Sequence, residues 1–193
     1  MSASEERVIA TTVGKVVPHN AAIVLMPYDP EWPSLYAALE RQIRDALGSD
    51  ALLIEHVGST SVPGLSAKPI IDVVLAVGNS ANETTYVPRL ERLDYVLRIR
   101  EPGWFEHRML KSPAIDGNIH VFSRDCEEVG RMLAFRDCLR ANSDDRKLYE
   151  RTKQDLASRT WKYVQDYADA KSAVVREILD RTLGSRRSGA VSP

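Results

Sequence analysis

The 193-residue chain is 44% apolar with a formal net charge of −1. That is enough apolar side chain for one packed domain and too little positive charge for binding bulk nucleic acid. Its two cysteines, Cys126 and Cys138, form neither a disulfide framework nor a CxxC zinc spacing, no apolar run reaches the ~18 residues of a membrane span, and the acidic opening MSASEERVIA lacks a signal-peptide core; the expectation is a cytoplasmic protein with no membrane partner.

Residues 1–19 show no sustained periodicity and read as a flexible arm, with ERVIATTVGKVV as an alternative edge strand. AAIVLMPY (21–28) reads as a strand. DPEWPSLYAALERQIRDALG reads as a helix, with Asp29 as cap, Pro30 and Pro33 in the first turn and Gly48 as the stop. Trp32, Leu35, Ala38, Leu39, Ile43 and Leu47 give it an apolar face. Strands ALLIEHV and PIIDVVLAV then flank a glycine turn. A polar loop and short helix lead to three further strands in YVLRIR, WFEHRML and NIHVFS. From residue 126 the pattern is helical: CEEVGRMLAFRDCLRAN, then one or two helices capped by Ser143 and stopped by Gly184. Residues 185–193 read as a disordered tail. The expected fold is α+β: residues 20–184 form a single domain with a mixed sheet flanked by helices and a helical C-terminal part over 126–184.

The chemistry concentrates in IEHVGSTSVPGLSAKPIIDVVLAV, residues 54–77. Alternation puts Asp72 on one face of its strand with Val74, and Ile71, Val73, Leu75 and Val77 on the other. A carboxylate in an apolar strand is costly unless charge or hydrogen bonds meet it. The turn offers backbone N–H groups around Gly58 and the hydroxyls of Ser59, Thr60 and Ser61, a nest suited to phosphate oxygens, with Lys68 nearby to neutralise them. It is not a Walker A loop, because the GK[ST] ending is absent. A plain turn, with Asp72 in a structural ion pair, is the alternative reading of the same residues. Further along, His120 and Phe122 share one face of NIHVFS, and Glu106 and Arg108 one face of WFEHRML. Tyr167 and Lys171 are an i,i+4 pair on a helix. Taken singly, each histidine reads more readily as a structural residue than as a ligand or base, and AFRDCLRAN reads as structural: Phe135 in the core, Arg136, Asp137 and Arg140 in local ion pairs.

The segments MPYDPEWPSLY, EHVGSTSVPGLSAKPIIDVV, PGWFEHR, NIHVF, AFRDCLRAN and DYADAKSAVVREIL occur in the order that resembles the GrpB (UPF0157) family, from about residue 22 to 183. That family looks like a branch of the nucleotidyltransferase superfamily, whose signature is a glycine-serine turn, a spacer of about a dozen residues, and Asp-x-Asp or Asp-x-Glu on a strand. Gly58, Ser59 and Asp72 fit it, with residues 60–71 as spacer. The second acidic position is Val74, which puts ordinary two-metal chemistry in doubt. The resemblance implies a nucleoside triphosphate and a small-molecule acceptor as partners and Mg²⁺ as cofactor. It places Asp72 on the metal, Ser59 and Thr60 on the β- and γ-phosphates, and Lys68, Arg108 and Lys171 (with Tyr167 beside it) against the developing charge. His120 or His56 would be a base or second metal ligand in the same cleft. Two other functions remain open on these residues: a non-catalytic nucleotide or phosphate binder, and an interaction module of the kind found fused to dephospho-CoA kinases.

Overall fold

The alternation of PIIDVVLAV becomes the second strand of a five-stranded sheet. In the computed structural model, which describes residues 2–188, the strands are β1 (Leu53–Val57), β2 (Ile71–Val77), β3 (Val96–Glu101), β4 (His107–Ser112) and β5 (Gly117–Ser123). Their order is β1-β2-β5-β4-β3, with β2 and β5 parallel and the other pairs antiparallel. The helices are α1 (Ala3–Thr11), α2 (Trp32–Leu47), α3 (Val87–Glu91), α4 (Glu127–Ala141), α5 (Ser143–Ala157), α6 (Val164–Ala170) and α7 (Ser172–Ser188). This is the α+β arrangement the sequence predicts, a mixed sheet flanked by helices with a helical C-terminal part.

One sheet face is mainly apolar. Ile71, Val73 and Leu75 of β2 lie with Ile119, Val121 and Leu110 of the neighbouring strands under Trp32, Leu39, Ile43 and Leu47 of α2. Each such side chain, fully buried, contributes about 1.5–3 kcal/mol. Pro33 in the first turn starts α2, and Gly48, with φ 55°, ends it where a β-carbon would be strained. The other face is divided. Over Val57, Val74 and Phe122 it is closed by Val129, Met132 and Leu133 of α4. Around Asp72 it is open and forms one wall of a cavity bounded by α5, α6 and the N-terminal segment.

Several local expectations change. Residues 3–11 of the expected arm are helical. Helix α1 buries Val8 and docks on α6, with Glu5 bonded to Lys162 and Tyr163, Ser4 to Asp166 and Arg7 to Asp169. Those partners lie up to 162 residues away, out of reach of any local pattern. AAIVLMPY is an extended connector, not a sheet strand. Its backbone is met by Trp161, Ala157 and Ala67, and Ile23 is buried beside Leu156, Ala157 and Tyr167. The cap of α5 is Asn142, whose side chain accepts from the N–H groups of Asp144 and Asp145; Ser143 is the first helical residue. Among the described residues three helices, not one or two, follow α4. The last runs through Gly184 to Ser188, glycine inside a helix costing only about 1 kcal/mol. Of the expected disordered tail, 185–188 are thus helical and 189–193 lie outside the described residues.

Candidate functional site

The site is built on the turn that leaves β1. Gly58 has φ 70° and ψ −172°, and Ser59–Ser61 form a single 3-10 turn behind it. Val57 pairs with Asp72 across the sheet, so the Asp72 carboxylate comes directly over the turn. A β-carbon on Gly58 would lie 2.5 Å from Asp72 Oδ2. Both the dihedral and the close approach therefore require glycine. The turn is held from behind by α4. Arg140 donates twice to the Ser61 carbonyl, at 2.9 and 2.8 Å, and Arg136 donates to the His56 carbonyl at 3.0 Å and to Glu55 at 2.7 Å. The arginines of AFRDCLRAN thus do more than pair locally, since they clamp the backbone of the glycine turn.

Asp72 Oδ1 accepts from Asn118 Nδ2 at 2.7 Å, and His120 Nε2 lies 3.7 Å from the same oxygen. Burial pushes the Asp72 carboxyl up, but His120, Asn118 and the charge of Lys68 outweigh it and hold the group below its ordinary value. His120 Nδ1 is 3.1 Å from His107 Nε2, and His107 Nδ1 is 2.8 Å from Glu101 Oε2. The Glu101 carboxylate accepts, so His107 carries a proton on Nδ1 and donates it to Glu101. His107, buried at 3% exposure, has its pKa pushed down by burial, with Glu101 opposing. Glu101 and His107 are absent from the sequence-derived site. The hairpin register pairs Met109 with His120, which brings His107 to the Asp72 face; strand alternation alone does not reveal that pairing.

Three lysines, Lys68, Lys153 and Lys171, line the same cavity as this carboxylate, and Lys15 and Lys111 also belong to its wall. Lys153 of α5 donates to Ser59 Oγ at 3.1 Å and to the Ser66 carbonyl, with only 2% of the residue exposed. Burial, reinforced by the charge of Lys171, pushes its pKa down to about 7. Lys171 sits 4.5 Å over the Tyr167 ring and Lys68 5.9 Å from it. Burial lowers both, and Asp72 opposes the shift in each case. With Ser59, Asp72 and His120 they line a cavity of about 720 Å³. Lys153 is a further residue the sequence reading passed over. Its signal was legible, because Tyr149, Lys153 and Leu156 follow helical spacing on one buried face of α5.

Two expected members are elsewhere. His56 pairs with Val73 and so points to the α2 face, where it stacks on Tyr36 with ring centroids 4.7 Å apart. Its Nε2 is 3.0 Å from Thr60 Oγ1, whose hydroxyl donates to the Ile70 carbonyl. Burial pushes the His56 pKa down to about 4, and the ring supports the turn from behind instead of entering the cavity. Arg108 pairs with Val121 and also lies on the α2 face, bonded to Glu83 at 2.5 Å and to Glu106 at 3.4 and 3.3 Å. Glu106 precedes β4 with φ 51°, so strand alternation does not extend to it. The site thus brings together Gly58, Ser59, Thr60, Lys68, Asp72, His120, Tyr167 and Lys171, and leaves out Arg108 and the His56 ring.

The family model for the GrpB protein matches residues 22–181. The chain belongs to the GrpB family. It is 57% identical over 178 residues to a UPF0157 protein of Halalkalibacterium halodurans, covering 92% of this chain and 91% of that one. A UPF0157 protein of Streptomyces coelicolor is 45% identical over 170 residues, covering 88% and 89%. The crystal structure of the conserved protein GrpB from Enterococcus faecalis superposes with a TM-score of 0.68 at 28% identity, covering 84% of this chain and 99% of that one. Among the described residues, no helix of this GrpB chain is long and apolar enough to cross a membrane.

The GrpB cavity offers Mg²⁺ a single carboxylate, at the low end of the one or two that usually hold the ion together with substrate phosphates. Mg²⁺ takes oxygen ligands in an octahedron. Here Asp72 is the carboxylate on the open face, in a cavity lined by lysines, and the described residues contain no group of three or more His, Cys, Asp or Glu side chains placed to hold a metal ion. Val74, in the place of the second acid, is fully buried beneath α4 against Val57 and Phe122. Val74→Asp is therefore expected to destabilise by several kcal/mol. Melting with and without Mg²⁺ checks this: equal losses are expected, and rescue by the ion would restore the case for a metal face.

Proposed function

We propose that this GrpB-family chain binds the phosphate groups of a small phosphorylated ligand in the lysine-lined cavity, without a bridging metal ion. The observation that carries the reading is the convergence of Lys68, Lys153 and Lys171 on one cavity with a single carboxylate. Burial makes each of these ammonium groups costly, and a bound polyanion offsets that cost for all three. Ser59 adds a hydroxyl already oriented by Lys153. A nucleoside triphosphate suits this charge pattern. Nucleotidyl transfer to an acceptor would ask for a second metal carboxylate, and valine under a helix stands in that position, so binding is the reading favoured here.

Isothermal titration with inorganic tripolyphosphate tests it. Binding is expected in EDTA as well as in Mg²⁺. Binding that appears only with Mg²⁺ would overturn the metal-free reading and return the protein to the nucleotidyltransferase-type site. Asp72→Asn sharpens the contrast. If the lysines act directly on the anion, removing the neighbouring negative charge should tighten binding about three- to tenfold. A metal-bridged site would instead lose affinity.

A further inference from the structure

The segment PGWFEHR lies outside the lysine cavity, yet its conformation is unusual. Phe105 and Glu106 are consecutive non-glycine residues with φ 52° and 51°, an uncommon backbone state for such side chains. The result is that Trp104 and Phe105 stand at the surface, 42% and 38% exposed. Trp104 is nevertheless held firmly. Its ring meets His107 edge-on at 5.1 Å, Phe122 at 5.7 Å and Phe105 at 5.7 Å, and its backbone bonds to Glu101 and His107 close the turn. An exposed indole fixed by three aromatic contacts is a preorganised stacking surface.

Beside it lies a second cavity of about 410 Å³, whose lining includes Trp104, Phe105, Glu127, Glu128, Arg131 and Arg176. That volume falls within the roughly 300–1,000 Å³ of small-molecule sites. Ala168 and Lys171 line both this cavity and the lysine cavity, so the two share a wall with an ammonium group in it. Trp104 also touches His107, and His107 bonds to His120, which faces Asp72. The aromatic shelf and the anion site thus adjoin at Ala168 and Lys171, with His107 packed beneath them.

We propose that the Trp104 shelf receives the flat aromatic ring of the same ligand whose phosphates enter the lysine cavity, making the ligand class an aromatic phosphate ester such as a nucleoside polyphosphate. This rests on the phosphate-binding reading above. The charge pattern supports the assignment: a polyanionic end answers Lys68, Lys153 and Lys171, while the neutral ring matches an indole and a phenyl group. Stacking on a tryptophan tolerates any base, because every base has a π-face.

The experiment compares inorganic tripolyphosphate with ATP, GTP, CTP and UTP in metal-free buffer, for the native chain, Trp104→Ala and Trp104→Phe. At least one nucleotide should bind the native protein roughly tenfold more tightly than tripolyphosphate, the size expected for one base stacked on an aromatic side chain. Trp104→Ala should remove that advantage and leave tripolyphosphate affinity unchanged, and Trp104→Phe should keep most of it. Nucleotide, but not tripolyphosphate, should quench the tryptophan emission that Trp104→Phe eliminates. Native melting temperature in both variants guards against misfolding. If tripolyphosphate binds and no nucleotide binds better, the shelf is overturned and the anion site stands. If neither binds, the anion site falls and the shelf with it. If Trp104→Ala alters sedimentation and not nucleotide affinity, the aromatics cover a second copy of the chain, which also overturns the proposal.

Discussion

Gly58→Val should lose tripolyphosphate binding altogether and melt about 10 °C below the native protein. Two effects add. A branched residue at φ 70° adopts a backbone state that costs about 1–3 kcal/mol. Its β-carbon would also meet Asp72 Oδ2 at 2.5 Å, and neither can retreat easily, because Val57 and Asp72 are paired in the sheet. Overpacking of this kind costs a further 1–3 kcal/mol or so. At about 2–4 °C per kcal/mol for a chain of this size, the shift follows. Gly64→Ala is the control. Gly64 has a similar φ of 76° with nothing within 4 Å of an added β-carbon, so only the backbone term remains. Differential scanning calorimetry of the two variants separates the effects. Equal losses of stability would mean that the approach of Asp72 to the turn is not what demands glycine.

Lys153→Met should weaken tripolyphosphate binding at least a hundredfold at pH 6.5 and flatten the dependence of stability on pH. In the folded chain burial holds the Lys153 pKa near 7, against an ordinary value of 10.5. Between these values the unfolded chain binds the proton and the folded chain does not. Stability contributed by this group therefore rises with pH from about 7 to 10.5, and is lowest below 7, where the charge stays buried. Lys68 and Lys171 are shifted in the same direction and add to the trend. Anion affinity runs the opposite way, falling as Lys153 loses its charge above pH 7. Methionine removes the titrating group at similar length, so the variant should be at least as stable as the native chain at pH 6.5 unless the freed Ser66 carbonyl costs more than the buried charge did. Thermal melts at pH 6.5 and 9.5, with titrations at the same two values, measure both trends. A variant that keeps the native pH slope or the native affinity would show that Lys153 is only a buried structural amine.

Gly58 and Lys153 differ in how far the sequence alone reveals them. Gly58, Ser59 and Asp72 are readable because the rules behind them are short-ranged. A strand alternates every second residue, so Asp72 and Val74 must share a face whatever the rest of the chain does. A glycine followed by hydroxyl residues at a strand end marks a turn for reasons confined to a few bonds. The apolar face of α2 and its stop at Gly48 are legible on the same grounds, and with them the α+β class.

Everything that joined distant segments depended on pairing and packing. Arg108 and His107 are neighbours of opposite face, and which of them meets Asp72 was settled by the β4–β5 register, in which Arg108 opposes Val121 and Met109 opposes His120. His56 fell behind the turn because β1 pairs it with Val73. That Val74 lies under α4 while Asp72 beside it stays open to a cavity depends on where one helix stops covering the sheet. Lys153 reaches Ser59 across 94 residues, and α1 finds its partners on α6 across 162. Contacts at such separations come from side-chain complementarity between elements formed independently, which a periodicity within either element does not encode. The turn and its aspartate were therefore written locally, while the lysines on which the proposed anion site rests were assembled by the fold.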